Sequence, residues 1–160
     1  MVRFDKHSGI YSLTAEQTID CSLDKAWEFF SDPKNLQVIT PDDLSFQITS
    51  PEVGKMFKGQ VITYRIGLLP GVTSNWVTEI TAVEDKRYFI DEQRFGPYSM
   101  WHHLHSFEEL EDGRVLMKDK VHFKPPMGPL GKIAYSLFIK KKLQGIFEFR
   151  FKKLDDLFNS

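Results

Sequence analysis

The chain has 160 residues, 41% of them hydrophobic and 27% charged, enough for one core that needs neither disulfides nor a structural metal. A net charge of −1 leaves no basic field for nucleic acid, and the single cysteine, Cys21, excludes an intramolecular disulfide and fits a reducing compartment. Residues 1–10 lack the apolar stretch of a signal peptide, and no run of about 18 apolar residues offers a membrane span, so a cytoplasmic protein without stable membrane insertion is expected.

Residues 10–19 alternate and carry Tyr, Thr and Ile, which predicts a strand with Tyr11, Leu13, Ala15, Gln17 and Ile19 on one face. Ser22 then stands as an N-cap before a helix whose Ala26, Phe29 and Phe30 fall at helical spacing. Asp32-Pro33 predicts a second short helix, which ends before Pro41 because the residue preceding a proline avoids helical geometry. Leu44, Phe46 and Ile48 alternate as a strand, and residues 51–59 form a turn. Residues 60–69 predict a strand with Ile62, Tyr64, Ile66 and Leu68 on one face, closed by the turn signal Pro70-Gly71. The next strand, 74–83, places Trp76, Thr78, Ile80 and Ala82 together, and 87–94 follows a tight connection at Asp85-Lys86. Gly96-Pro97 breaks the chain, and two strands, 98–110 and 114–124, meet at Glu111-Asp112-Gly113, a hairpin signal.

Pro125, Pro126, Gly128 and Pro129 stop the sheet. From Leu130 to Phe158 the apolar period is helical, with a stripe of Ile139, Leu143, Ile146, Phe147, Leu154 and Leu157. Such a helix would be about 40 Å long. Gly145 inside it predicts a bend or a close approach to a strand. Short turns make about seven strands antiparallel, and only the terminal helix is long enough to cover one face of the sheet. The fold class expected is therefore α+β: a helix-grip fold, with a curved antiparallel sheet wrapped around a long C-terminal helix and two short helices after the first strand. It forms a single domain over residues 1–160.

This arrangement resembles the START-like (SRPBCC) superfamily of lipid-transfer domains, polyketide cyclase/dehydrases and plant ligand-binding proteins. The resemblance spans roughly Ser12 to Phe158. It is carried by the run Leu23 to Phe30 with Asp32-Pro33, by Asn35-Leu36 and Ile39-Thr40-Pro41, and by the long terminal helix. A narrower similarity, to uncharacterised bacterial ligand-binding members, lies in Asp91-Glu92-Gln93, Gly96-Pro97, Trp101-His102-His103-Leu104-His105, Phe107, Asp119 and Pro126-Met127-Gly128-Pro129-Leu130-Gly131. The resemblance implies a hydrophobic ligand cavity and names no ligand.

Alternation also assigns faces. Val115, Met117, Asp119, Val121 and Phe123 read as inward, as do Trp101, His103, His105 and Phe107. Phe89, Asp91, Gln93 and Phe95 share a face with apolar ends and a polar centre. Asp91, Gln93, His103, His105 and Asp119 would then form one polar group on an apolar surface. A satisfied core network, a ligand-orienting patch, an acid–base set and a His-His-carboxylate metal triad all match that composition. No cofactor and no metal are expected, because nothing else in the sequence supports the last reading. Arg150 sits on the helix stripe. Either its head snorkels to water, or it points into the cavity to pair with Asp119 or Asp91 or to bind a ligand carboxylate.

The candidate ligand-binding residues are Tyr64, Trp76, Ile80, Phe89, Asp91, Gln93, Trp101, His103, His105, Met117, Asp119, Val121, Leu143, Phe147 and Arg150. Fourteen phenylalanines suit a large core and cavity walls equally. The function expected is binding of a small hydrophobic ligand: a lipid, a polyketide-like molecule or an aromatic. An alternative is a cyclase or dehydratase with His103 or His105 as base and Asp119 orienting it. A third reading is membrane-surface contact through the basic terminal helix, Lys140-Lys141-Lys142 and Lys152-Lys153, with Phe138, Phe149 and Phe151. No oligomeric state follows from the pattern.

Overall fold

The computed structural model describes residues 1–51, 53–69, 71–126 and 128–159, and for Leu68, Leu69, Lys132, Ala134 and Ser136 the backbone alone. Pro70 of the expected turn, the Leu68 side chain and Met127 therefore lie outside the described residues.

One antiparallel sheet runs in the order β1-β2-β8-β7-β6-β5-β4-β3. Its strands are β1 (Val2–His7), β2 (Ile10–Ile19), β3 (Gln47–Ile48), β4 (Val61–Leu69), β5 (Val72–Glu84), β6 (Tyr88–Phe95), β7 (Met100–Glu109) and β8 (Val115–Lys124). β1 is an addition to the expected set. It is an edge strand with only Val2 and Phe4 packed inward, too little apolar alternation to show in the sequence. It turns into β2 through Ser8 and Gly9, both at positive φ (50° and 79°), the signature of a two-residue hairpin turn whose twist matches the strands.

Helix α1 (Leu23–Phe30) starts where predicted: the Ser22 hydroxyl accepts a hydrogen bond from the Lys25 N–H. Asp32 caps a single 3-10 turn, Pro33–Leu36, in the same way. The strand expected from Leu44 shrinks to two residues, because Asp42–Leu44 form another 3-10 turn that ends at Ser45 in the left-handed conformation. The terminal helical region is not one regular helix. Helix α2 (Gly128–Ala134) passes through a π turn, Tyr135–Ile139, into α3 (Lys140–Phe158). Gly145 marks no close approach, since nothing lies within 4 Å of where its side chain would be.

Buried Leu143, Phe147, Arg150, Leu154 and Phe158 form the stripe of α3 that faces the sheet. Leu157 was expected there, but it is 42% exposed and Phe158 takes the place, four residues on from Leu154. Each apolar member stabilises the fold by roughly 1.5–3 kcal/mol through burial. Along β7 the inward face changes character. Phe107 belongs to the apolar cluster under α1 with Phe89 and Leu154. Trp101 joins a second cluster with Phe123, Leu143 and Phe147. His103 and His105 lie between them, opposite Arg150.

Two bulges re-aim the far half of the sheet. One between Ile80 and Ala82 turns Val83, rather than the expected Ala82, toward Phe89. Another sets Val77 opposite Phe95 and Thr78 opposite Gln93. Phe95 thereby leaves the face it was expected to share with Asp91 and is 64% exposed.

Candidate functional site

The inward faces of three neighbouring strands build the polar cluster. In the register, Asp91 of β6 stands opposite His103 of β7, and Asp119 of β8 stands opposite His105. The hydrogen bonds run diagonally. His103 Nε2 is 2.9 Å from Asp119 Oδ1, and His105 Nε2 is 2.9 Å from Asp91 Oδ2. The two imidazoles lie one over the other, tilted by 32°, with centroids 3.7 Å apart, and Phe89 stacks on the outer face of His105 at 4.2 Å. Each ring thus sits between two carboxylates: His103 Nδ1 is 3.6 Å from Asp91 and His105 Nδ1 is 2.8 Å from Asp119. The last approach is close but poorly aligned, so it is an ion contact and His105 Nδ1 has no hydrogen-bond partner.

The electrostatics separate the two histidines. Burial alone would lower both pKa values, but the Asp119 and Asp91 contacts outweigh it at His105 and raise that group above 6.5. At His103 burial, joined by repulsion from His105, wins and the pKa falls below 6.5. Burial works against ionisation of Asp119, yet its hydrogen bond to His103 and its close contact with His105 hold it well below the usual carboxylate range. Asp91 is shifted the same way, burial again being overcome by His105 and His103. Tyr64 and Tyr98 are pushed upward by burial, Tyr64 further by Asp91.

Arg150 reaches down from α3. It is only 6% exposed, its Nη1 is 3.8 Å from Asp119 Oδ1, and its guanidinium lies 4.9 Å from the Phe147 ring centroid. The contact with Asp119 is too long for a hydrogen bond, and Nε has no partner at all. The head therefore points inward, and the snorkelling alternative does not hold.

Between this cluster, α3 and the α1 side lies a cavity of about 200 Å³ with mostly apolar walls. Of the candidate residues, Tyr64, Trp76, Ile80, Phe89, Asp91, Trp101, His103, His105, Leu143, Phe147 and Arg150 line it. Gln93, Met117, Asp119 and Val121 are not in its wall. Gln93 instead clamps the turn at Gly96-Pro97, donating to the Tyr98 carbonyl and accepting from the Tyr98 N–H. Met117 and Val121 are core residues of the two apolar clusters. Asp119 is fully buried behind the histidines, where it orients them. Further lining comes from Phe30, Leu36, Ile39, Ile62, Tyr98 and Ile146, among others. Ile62 and Ile146 were legible from the same alternation and stripe that selected Tyr64 and Phe147. Leu36 and Ile39 lie in and just after a 3-10 turn, where no period marks a face.

Asp91, His103 and His105 offer ligating atoms within 4.8 Å of one another.

No family model matches the sequence, and no curated protein matches it. Solved structures do resemble it. A solution structure of a protein from Arthrobacter aurescens has 15% identity over 96% of this chain and 91% of its own, with a TM-score of 0.69. A crystal structure of a protein from Thermus thermophilus has 16% identity over 91% of this chain and 94% of its own, with a TM-score of 0.68. The crystal structure of Ara h 8.0201 has 21% identity over 91% of this chain and 98% of its own, with a TM-score of 0.62. At these identities the likeness speaks for fold alone. The strand order, the sheet wrapped on a terminal helix and these likenesses together give the chain a helix-grip α+β fold.

Proposed function

We propose that this protein binds a small, largely apolar ligand between its sheet and α3, with the His103, His105, Asp91 and Arg150 group orienting one polar end. The observation that carries this reading is the cavity itself: about 200 Å³ of space with apolar walls, into which a few buried polar side chains converge. That combination is the usual make-up of a small-molecule site. A core network alone would leave no such space beside it, since interiors are close-packed and voids are few. No helix among the described residues is long and apolar enough to cross a membrane. Native mass spectrometry of the purified protein tests the reading. A bound small molecule released on denaturation supports it. A ligand-free protein that also fails to bind apolar fluorescent probes ends it.

One observation favours an enzymatic reading as the runner-up. His103 reaches the cavity wall with a lowered pKa and is hydrogen-bonded to a fully buried carboxylate, the arrangement of an oriented general base. In a cyclase or dehydratase His103 would take the proton, with Asp119 positioning the ring. Once a substrate is known, turnover that survives His103→Ala excludes this role.

A further inference from the structure

The helical segment between the sheet and α3 turns apolar side chains both ways. On its inner side Tyr135 stacks on Tyr11, with centroids 3.6 Å apart, and meets Phe123, while Ile139 packs on the same cluster. On its outer side Leu130, Ile133, Leu137 and Phe138 are each 56–62% exposed. They stand at i, i+3, i+7 and i+8, the spacing with which a helix ordinarily packs on a core. A helical segment that is apolar all round is normally covered all round. Single exposed apolar residues need no explanation, but a row of four within nine residues marks an interaction surface.

Charge indicates what covers it. Between Asp119 and Glu148 the chain has six lysines and no aspartate or glutamate, in a protein whose net charge is −1. Lys140 and Lys141 follow Phe138 closely and are exposed, and the Lys140 ammonium lies 5.5 Å from the centroid of the Phe4 ring. The cores of protein–protein interfaces are depleted in lysine. An anionic bilayer surface instead suits both features at once: apolar side chains enter the acyl boundary while lysines meet acidic headgroups. The surface lies earlier in the chain than α3 itself, where Phe149 and Phe151 are half-buried.

We infer that α2 and the π turn dock this protein reversibly on an anionic membrane surface, with Leu130, Ile133, Leu137 and Phe138 inserted and Lys140 and Lys141 on the headgroups. Four inserted side chains make a peripheral contact, not a permanent anchor. Lys142, four residues on from Phe138, lines the cavity, so docking would set the ligand space close to the lipid from which an apolar molecule partitions. The docking itself uses none of the polar residues of that cavity.

The test is flotation of the intact protein with vesicles of phosphatidylcholine alone and of phosphatidylcholine mixed with phosphatidylglycerol. Binding to the mixed vesicles is expected to be about tenfold or more tighter and to weaken with added salt. The double variant Leu137→Ser, Phe138→Ser should lose most of the binding, and Lys140→Glu, Lys141→Glu should lose the preference for the anionic lipid. All four side chains are exposed, so both variants should keep the wild-type urea midpoint. If the serine pair does not fold, the lysine pair and the wild-type lipid preference decide. No binding to either vesicle, equal binding to both, or binding that the serine pair leaves unchanged overturns the inference. So does a dimer in sedimentation equilibrium that the serine pair splits, which would assign the face to a second copy of the chain. Each of these results leaves cavity binding standing, and a protein that carries no ligand but floats with anionic vesicles leaves the docking standing.

Discussion

Asp119 carries the heaviest electrostatic load of any single residue. It has no solvent exposure, and its Oδ1 alone faces two histidines and Arg150. Removing it by Asp119→Asn leaves Asp91 as the one carboxylate facing the histidines and Arg150, which should cost about 3 kcal/mol at neutral pH. The pH dependence has a definite sign. The native pKa of Asp119 lies far below its ordinary 3.8, so on acidification the unfolded state takes up the proton first. Its contribution is complete above about pH 4 and drains away as pH falls further. Urea unfolding at a series of pH values should show the gap between wild type and Asp119→Asn narrowing toward acid; a constant gap would disprove the assignment. The histidines act in opposite directions. His105, raised, stabilises below pH 6.5 and loses that contribution as pH climbs through its folded pKa. His103, lowered, contributes above 6.5 and loses it toward acid. NMR titration should give two steps straddling 6.5, His105 above and His103 below. Two coincident steps near 6.5 would contradict the network.

Among the elements, the terminal helical region makes the sharpest contrast. Gly145 is exposed on α3 with open space around its missing side chain. Gly145→Ala should therefore stabilise the protein by about 1 kcal/mol, the difference in helix propensity, read as a higher urea midpoint. Gly131 in α2 is the reverse case. An added methyl would collide with the Pro126 carbonyl oxygen and press on Pro125. Gly131→Ala should lower stability by about 1–3 kcal/mol, and a neutral result would mean that α2 does not pack on that turn. In the sheet, most faces were legible: period-two alternation in β8 placed Val115, Met117, Asp119, Val121 and Phe123 inward, and all five are fully buried. What alternation could not reveal were the bulges in the β5–β6 pairing, because one extra residue inverts every face beyond it. That is why Phe95 is on the outside. Phe95→Ser should change stability by less than about 0.5 kcal/mol.

For the molecule as a whole, the cavity is the property that the fold creates and no element owns. It is bounded by α3, by α1 and the turn after it, and by the middle of the sheet. Filling it from the helix side tests this. Ile146→Trp, at a half-buried lining position, should weaken probe binding about tenfold or more while the unfolding midpoint holds or rises. Undiminished binding would place the ligand elsewhere. The local sequence by itself determined the strands β2 and β4 to β8, the capped start of α1, the hairpin at Asp112-Gly113 and the inward side of β7 and β8, because these depend on periodicity and on neighbours a few residues away. The tertiary structure alone decided that Asp91 and Asp119 bond crosswise to a stacked histidine pair, that Arg150 turns inward without a hydrogen bond, and that Gln93, Met117 and Val121 are not in the cavity wall. Those outcomes depend on register across strands and on how far α3 stands from the sheet, distances that no run of neighbouring residues encodes.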